Sequence, residues 1–125
     1  MQLPLTLLLS ATLASTTVSA ASLNFLTWNC PNCQDNATCQ QQNYQNVFPG
    51  PIPDTCFALR VPFPQGLKIF GQQDCPRGEV DFYATSTCTD TPLAYRLETS
   101  FPSPGNPTCH NETALTTRTH YRILC

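Results

Sequence analysis

Charge is what this sequence has least of. Six Lys and Arg and eight Asp and Glu are spread over 125 residues, a net charge of −2 with His neutral. A typical domain is about 25% charged. No charged residue precedes Asp35, and no two basic residues adjoin, so no cut at paired basic residues is expected. With a pI near 5.4, the chain lacks the basic stripe that holds nucleic acid or an anionic membrane surface, and neither partner is expected. Glycine is scarce too, at five residues. There is no glycine-rich loop to cradle phosphate and no G-x-S-x-G elbow to present a serine nucleophile. At this length one domain is the ceiling.

What is abundant is cysteine, proline and neutral polar side chains. Leu3 to Leu13 reads LPLTLLLSATL, an apolar run of signal-peptide length that is too short to span a bilayer of ~30 Å. Val18-Ser19-Ala20 then places small residues at the −3 and −1 positions of a cleavage site. The expected organisation is a signal peptide over 1–20 and a single cysteine-rich domain over 21–125. The chain closes on His120-Tyr121-Arg122-Ile123-Leu124-Cys125 without an apolar tail, so no lipid-anchor signal or membrane association is expected after signal removal. The expected destination is extracellular. Two glycosylation sequons fit it, Asn36-Ala37-Thr38 and Asn111-Glu112-Thr113.

Cys30, Cys33, Cys39, Cys56, Cys75, Cys88, Cys109 and Cys125 are read as four disulfides. Cys30-Pro31-Asn32-Cys33 is a C-x-x-C element, but zinc needs a second close pair and thioredoxin-like redox chemistry needs a βαβ setting. Neither surrounds it, so no metal or cofactor is expected. Eight cysteines allow 105 pairings, and spacing does not choose among them. Cys33 and Cys39 are near enough to close a small loop around Asn36. A bridge to Cys125 would pin the C-terminus. In the chain-entropy picture, four bridges stabilise by on the order of 10 kcal/mol, comparable to the net stability of a whole domain.

Alternating apolar and polar residues predict strands at 23–28, 56–61, 67–70, 80–84, 93–97 and the final run through Tyr121, Ile123 and Cys125. The stretch 38–46 is the one place read as a short helix. Leu67-Lys68-Ile69-Phe70 before Cys75 is echoed by Val80-Asp81-Phe82-Tyr83 before Cys88, offset by 13. This reads as two neighbouring strands of a meander. Proline dominates two connections, 47–55 and 99–117. The fold class that follows is mostly β: a small, disulfide-stapled antiparallel sheet, sandwich or meander, with long Pro-rich loops.

No catalytic constellation stands out. His120, Arg122 and a strand carboxylate such as Glu98 would perform general acid–base phosphodiester cleavage if they converged. A small secreted hydrolase such as a ribonuclease is therefore the third function considered. After removal of residues 1–20, Thr, Ser, Asn and Gln make up 33 of 105 residues. Such a surface suits protein or carbohydrate recognition better than capture by charge. Trp28, Tyr44 and Phe48 are the aromatic contact candidates. The rigid loop 48–54 beside Cys56 is the alternative, as the presenting loop of an inhibitor of a secreted enzyme.

The apolar leader, the Thr/Gln/Asn-rich body, eight cysteines and the phrase Val80-Asp-Phe-Tyr-Ala-Thr-Ser-Thr-Cys88 resemble fungal small secreted cysteine-rich proteins, the effector-like type. The resemblance implies a non-enzymatic role outside the cell, at a host or microbial surface. A monomer is expected. Hydrophobin Cys-Cys doublets are absent, as is the C-x-C of CFEM-type domains. The N-terminal histidine of copper-dependent polysaccharide oxygenases is missing too, since the mature chain would begin at Ala21. The charge is the wrong sign for cationic defensins.

Overall fold

The computed structural model describes residues 20–97 and 107–125. Among these residues seven strands form two antiparallel sheets. The first has the order β2 (Gln41–Phe48), β1 (Ala21–Trp28), β4 (Gly66–Gln73), and the second has β3 (Phe57–Ala58), β7 (His120–Leu124), β5 (Glu79–Tyr83), β6 (Leu93–Arg96). Their apolar faces meet in one core. Leu23, Phe25, Leu67 and Ile69 come from the first sheet, and Val80, Phe82, Tyr95, Tyr121 and Ile123 from the second. The mostly β, antiparallel, disulfide-stapled architecture is thus present, as a sandwich.

Phe25 sits at the centre. Its ring stacks on Tyr44 at 4.6 Å between centroids and meets Tyr121 edge-on at 5.0 Å and Phe82 at 5.6 Å. Offset and edge-on pairs like these add about 0.5–1.5 kcal/mol each beyond area burial. Full burial of Phe25 and Phe82 contributes about 2–3 kcal/mol apiece.

Three expectations about the strands need correction. The stretch 38–46 is not helical: β2 runs Gln41–Phe48 and pairs along its whole length with β1, from Trp28↔Gln41 to Ala21↔Phe48. Its inward positions include Asn46 as well as Tyr44, so its period of two is invisible to hydrophobicity. Pairing with a neighbour decides the conformation, and a short polar helix has nothing to set against that. Second, the two echoed segments are not neighbours in a meander. β4 belongs to the first sheet and β5 to the second. The connection between them turns at Asp74 (φ 51°) and Gly78 (φ 55°) and carries the chain across the core. At Gly78 a Cβ would also lie 3.3 Å from that of Leu97. Third, in 56–61 only Phe57–Ala58 pairs with β7; the Leu59 amide still donates to the Thr119 carbonyl, and the Arg60 and Val61 amides then turn to a tyrosine hydroxyl described below.

The disulfides are Cys30–Cys39, Cys33–Cys109, Cys56–Cys88 and Cys75–Cys125. The loop around Asn36 is therefore closed by Cys30, not Cys33. The two cysteines of the C-x-x-C element go to different partners, which leaves no vicinal redox pair. Cys125 is pinned to Cys75, and its carbonyl accepts a hydrogen bond from the Arg77 amide.

Candidate functional site: a cleft between two sheet edges

A two-sheet sandwich has two open sides. Between the edges β4 and β6, the segment after Pro107 fills the gap. His110 exchanges two backbone hydrogen bonds with Leu67, both 2.8 Å, and its ring lies 4.9 Å from that of Tyr95. Cys109 is bonded to Cys33, and the short 3-10 turn Thr113–Thr117 inserts Leu115, which is fully buried. This side is sealed with apolar packing and a covalent tie.

The side between β2 and β3 is closed differently. β2 and β3 belong to different sheets, and two amides of the chain leaving β3 bond a side chain of β2. The Tyr44 hydroxyl accepts hydrogen bonds from the backbone N–H of Arg60 (3.1 Å) and Val61 (3.4 Å). The Tyr121 hydroxyl donates to Asn46 Oδ1 at 2.8 Å, and Asn46 Nδ2 donates to the Leu23 carbonyl at 3.2 Å. The Arg60 guanidinium donates to the Asn43 carbonyl and lies 4.6 Å from the centre of the Tyr44 ring. These groups leave a cleft of about 430 Å³ lined by Asn43, Tyr44, Gln45, Asn46, Ala58, Arg60 and Tyr121. Arg60 is the one charged group in that lining. Burial, helped by the neighbouring Tyr44, pushes the Tyr121 phenol up to about 12. It therefore stays a hydrogen-bond donor at any physiological pH. Chemically the cleft offers amides, phenolic hydroxyls and one guanidinium over an aromatic floor. It has no nucleophile–base pair.

The residues singled out from sequence fall in several places. Tyr44 is in the cleft, but its ring is 4% exposed and belongs to the core. Trp28 is 5% exposed, with the Lys68 ammonium 5.8 Å from its ring, so it is packed rather than presented. Phe48 is half-buried, its ring 6.0 Å from that of Phe57. Among the described residues the exposed large apolar side chains are Val47, Phe63 and Phe70, none of which alternation marks out. In loop 48–54, Pro51, Pro53 and Asp54 are exposed while Ile52 packs against the core. Asp54 pairs with Arg122 at 3.0 Å, and Cys56–Cys88 fixes the far end. Both sequon asparagines are exposed. Asn36 Oδ1 accepts from Thr38 N, Thr38 Oγ1 and Cys39 N within 3.0 Å. Asn111 Nδ2 donates to Asn32 Oδ1 at 2.6 Å.

His120 and Arg122 do come together with a carboxylate, on the outer face of the second sheet. Tyr83 pairs with His120 and Asp81 with Arg122 across the β5–β7 ladder. Glu98 lies outside the described residues, and the carboxylate in register is Asp81. Burial and the nearby Glu79 raise the Asp81 pKa. The cations of this face are matched, however: Arg77 and Arg96 pair with Glu79 at 2.8 and 3.4 Å, and Arg122 pairs with Asp54. A phosphodiester would meet no surplus positive charge there.

Among the described residues no helix is long and apolar enough to cross a membrane. No family model matches the chain, and neither a curated protein nor a solved structure does.

Proposed function

We propose that the chain is a secreted, effector-like binding protein acting outside the cell, and that the cleft between β2 and β3 is its recognition surface. The observation that carries this reading is the unequal treatment of the two open sides. One is filled by apolar side chains and a disulfide, while the other is bridged by polar groups that leave room for a ligand. A pocket with few, fixed polar groups over an aromatic floor is the usual form of a recognition site. Four disulfides fit a protein that must keep this geometry in an oxidising, protease-rich medium.

The test is affinity capture from host or cell-wall extracts with wild type and Ala58→Trp immobilised side by side. Ala58 is exposed on the cleft wall, so the indole fills the cleft without entering the core. The expected result is a partner retained by wild type and lost with the variant, at unchanged melting temperature. Equal retention by both proteins rules the cleft out.

A second reading has one observation in its favour. Loop 48–54 is exposed at Pro51, Pro53 and Asp54, yet held by Ile52, by the Asp54–Arg122 pair and by Cys56–Cys88. Such bracing suits a loop that enters an enzyme cleft as an inhibitor, because pre-organisation lowers the cost of binding. A panel of secreted proteases and glycosidases decides it, and no inhibition at micromolar protein removes it.

A further inference from the structure

The backbone of β2 carries more information than the cleft beside it. In an antiparallel pair, a residue turns both its N–H and its C=O to the same side, and successive residues alternate. Just before β2, the Asn29 amide donates to the Gln40 carbonyl. With the register Trp28↔Gln41 to Ala21↔Phe48, this assigns the hydrogen bonds to β1 to Gln42, Tyr44, Asn46 and Phe48. Gln41, Asn43, Gln45 and Val47 therefore turn their N–H and C=O groups to the open edge. The Arg60 guanidinium on the Asn43 carbonyl is independent evidence for that orientation. It is also the one hydrogen bond that these edge groups make to a residue outside β2 among the described residues.

The other edges are guarded. β4 is bridged by His110 and carries Lys68, β6 carries Arg96 and follows Pro92, and β3 is two residues long. Charge, proline, brevity and cover are the usual ways of keeping an edge from pairing. β2 has none of the first three: Gln41–Phe48 is eight residues without charge, proline or glycine. Among the described residues its cover is one exposed guanidinium, that of Arg60.

We infer that the partner of the cleft is an extended peptide segment that adds as a fourth strand along β2 and carries a carboxylate for Arg60. The inference rests on the cleft being the recognition surface. An incoming strand opposite Gln41 to Val47 spans about 24 Å at the rise of an antiparallel strand. Its N–H displaces Arg60 from the Asn43 carbonyl, and the freed guanidinium needs a new acceptor. An Asp or Glu on the incoming segment supplies a charge-assisted one, and Arg60 is the only charge in the cleft lining. Main-chain pairing provides affinity and the cleft reads alternate side chains, as in other strand-addition sites.

The probe is a display library of random linear octapeptides selected on the disulfide-intact protein. Selected peptides are expected to share one acidic position. Their binding should slow hydrogen exchange at the amides of Gln41, Asn43, Gln45 and Val47. Gln45→Pro removes an amide that has no hydrogen bond among the described residues and that an edge strand can spare. It should weaken binding roughly tenfold or more. Peptides N-methylated at alternate amides should lose binding similarly without altering the protein, which covers the case of a misfolded variant. If selected peptides protect no edge amide and tolerate Gln45→Pro, strand addition is wrong while the cleft reading stands. Failure to select any peptide overturns the inference, and equal partner capture by wild type and Ala58→Trp overturns the cleft with it. Edge amides already protected by self-association at micromolar protein would make the occupant a second copy, and overturn the inference too.

Discussion

The two open sides of the sandwich are built from opposite materials. Between β4 and β6 the closure is Leu115, a backbone bridge and the Cys33–Cys109 bond. Between β2 and β3 it is Tyr44, Asn46, Arg60 and Tyr121, joined by hydrogen bonds. Apolar closure is indifferent to which groups meet so long as volume is filled. Polar closure needs each donor to find its acceptor, and groups that do so at a surface are available to a ligand as well. The first side stabilises the fold, and the second keeps a small opening at a small cost in stability.

The comparison fixes an order of effects. Replacing Cys33 and Cys109 together with Ala should cost the most, about 4 kcal/mol for a loop of this span, since 76 positions separate the two. The same change at Cys30 and Cys39, nine positions apart, should cost about 3 kcal/mol. Denaturant midpoints of the two variants measure the gap, and equal losses would break the claim that the long bridge is the main closure. Leu115→Ala should follow at about 3 kcal/mol, the usual cost of emptying a buried leucine site. A loss under 1 kcal/mol would mean that the side is not sealed by packing. Tyr121→Phe on the cleft side should cost about 1–2 kcal/mol, because Asn46 Oδ1 then stays buried without its donor.

That hydroxyl also makes the cleft side sensitive to alkali. A phenol held higher in the folded state stabilises the fold below its free value, 10.0, and gives that contribution up as pH rises through about 12. Melting temperature should fall over that window, and the fall should be smaller in Tyr121→Phe. Burial raises the Tyr95 phenol on the sealed side further still, so Tyr121 should be the first of the two to ionise in an ultraviolet titration. The smallest effect on stability belongs to Ala58→Trp, within about 0.5 kcal/mol for an exposed site, although it should abolish partner capture.

Much of the second sheet is legible in the sequence. At 80–84 and 120–124 the inward residues are Val80, Phe82, Tyr121 and Ile123, so alternation reports the strand directly. β2 is not legible, because Asn46 takes an inward position and its burial is compensated by a tyrosine 75 residues away. Nor is the division into two sheets. β4 and β5 look alike along the chain, and only pairing with β1 or β7 separates them. The cleft draws on Asn43 to Asn46, Ala58, Arg60 and Tyr121, which share no local pattern. Its one advance sign is Tyr44, singled out for its aromatic character and found to serve through its hydroxyl. The disulfide pairs are likewise open, since spacing does not choose among the 105 pairings and Cys33 pairs across most of the chain.

That last pairing has a consequence for how the protein is made. Cys33 emerges from the ribosome 76 residues before its partner, an interval of about 4–15 s at ordinary rates of synthesis. For all of that time Cys30 and Cys39 are its nearest thiols. Cys30–Cys39 can close early, while Cys33 must wait or be released from a wrong bond. The yield of native protein should therefore depend on a thiol–disulfide isomerase in the compartment where it folds. A host that oxidises quickly and reshuffles poorly would trap the chain with its N-terminal cysteines mispaired and the sealed side of the sandwich never shut.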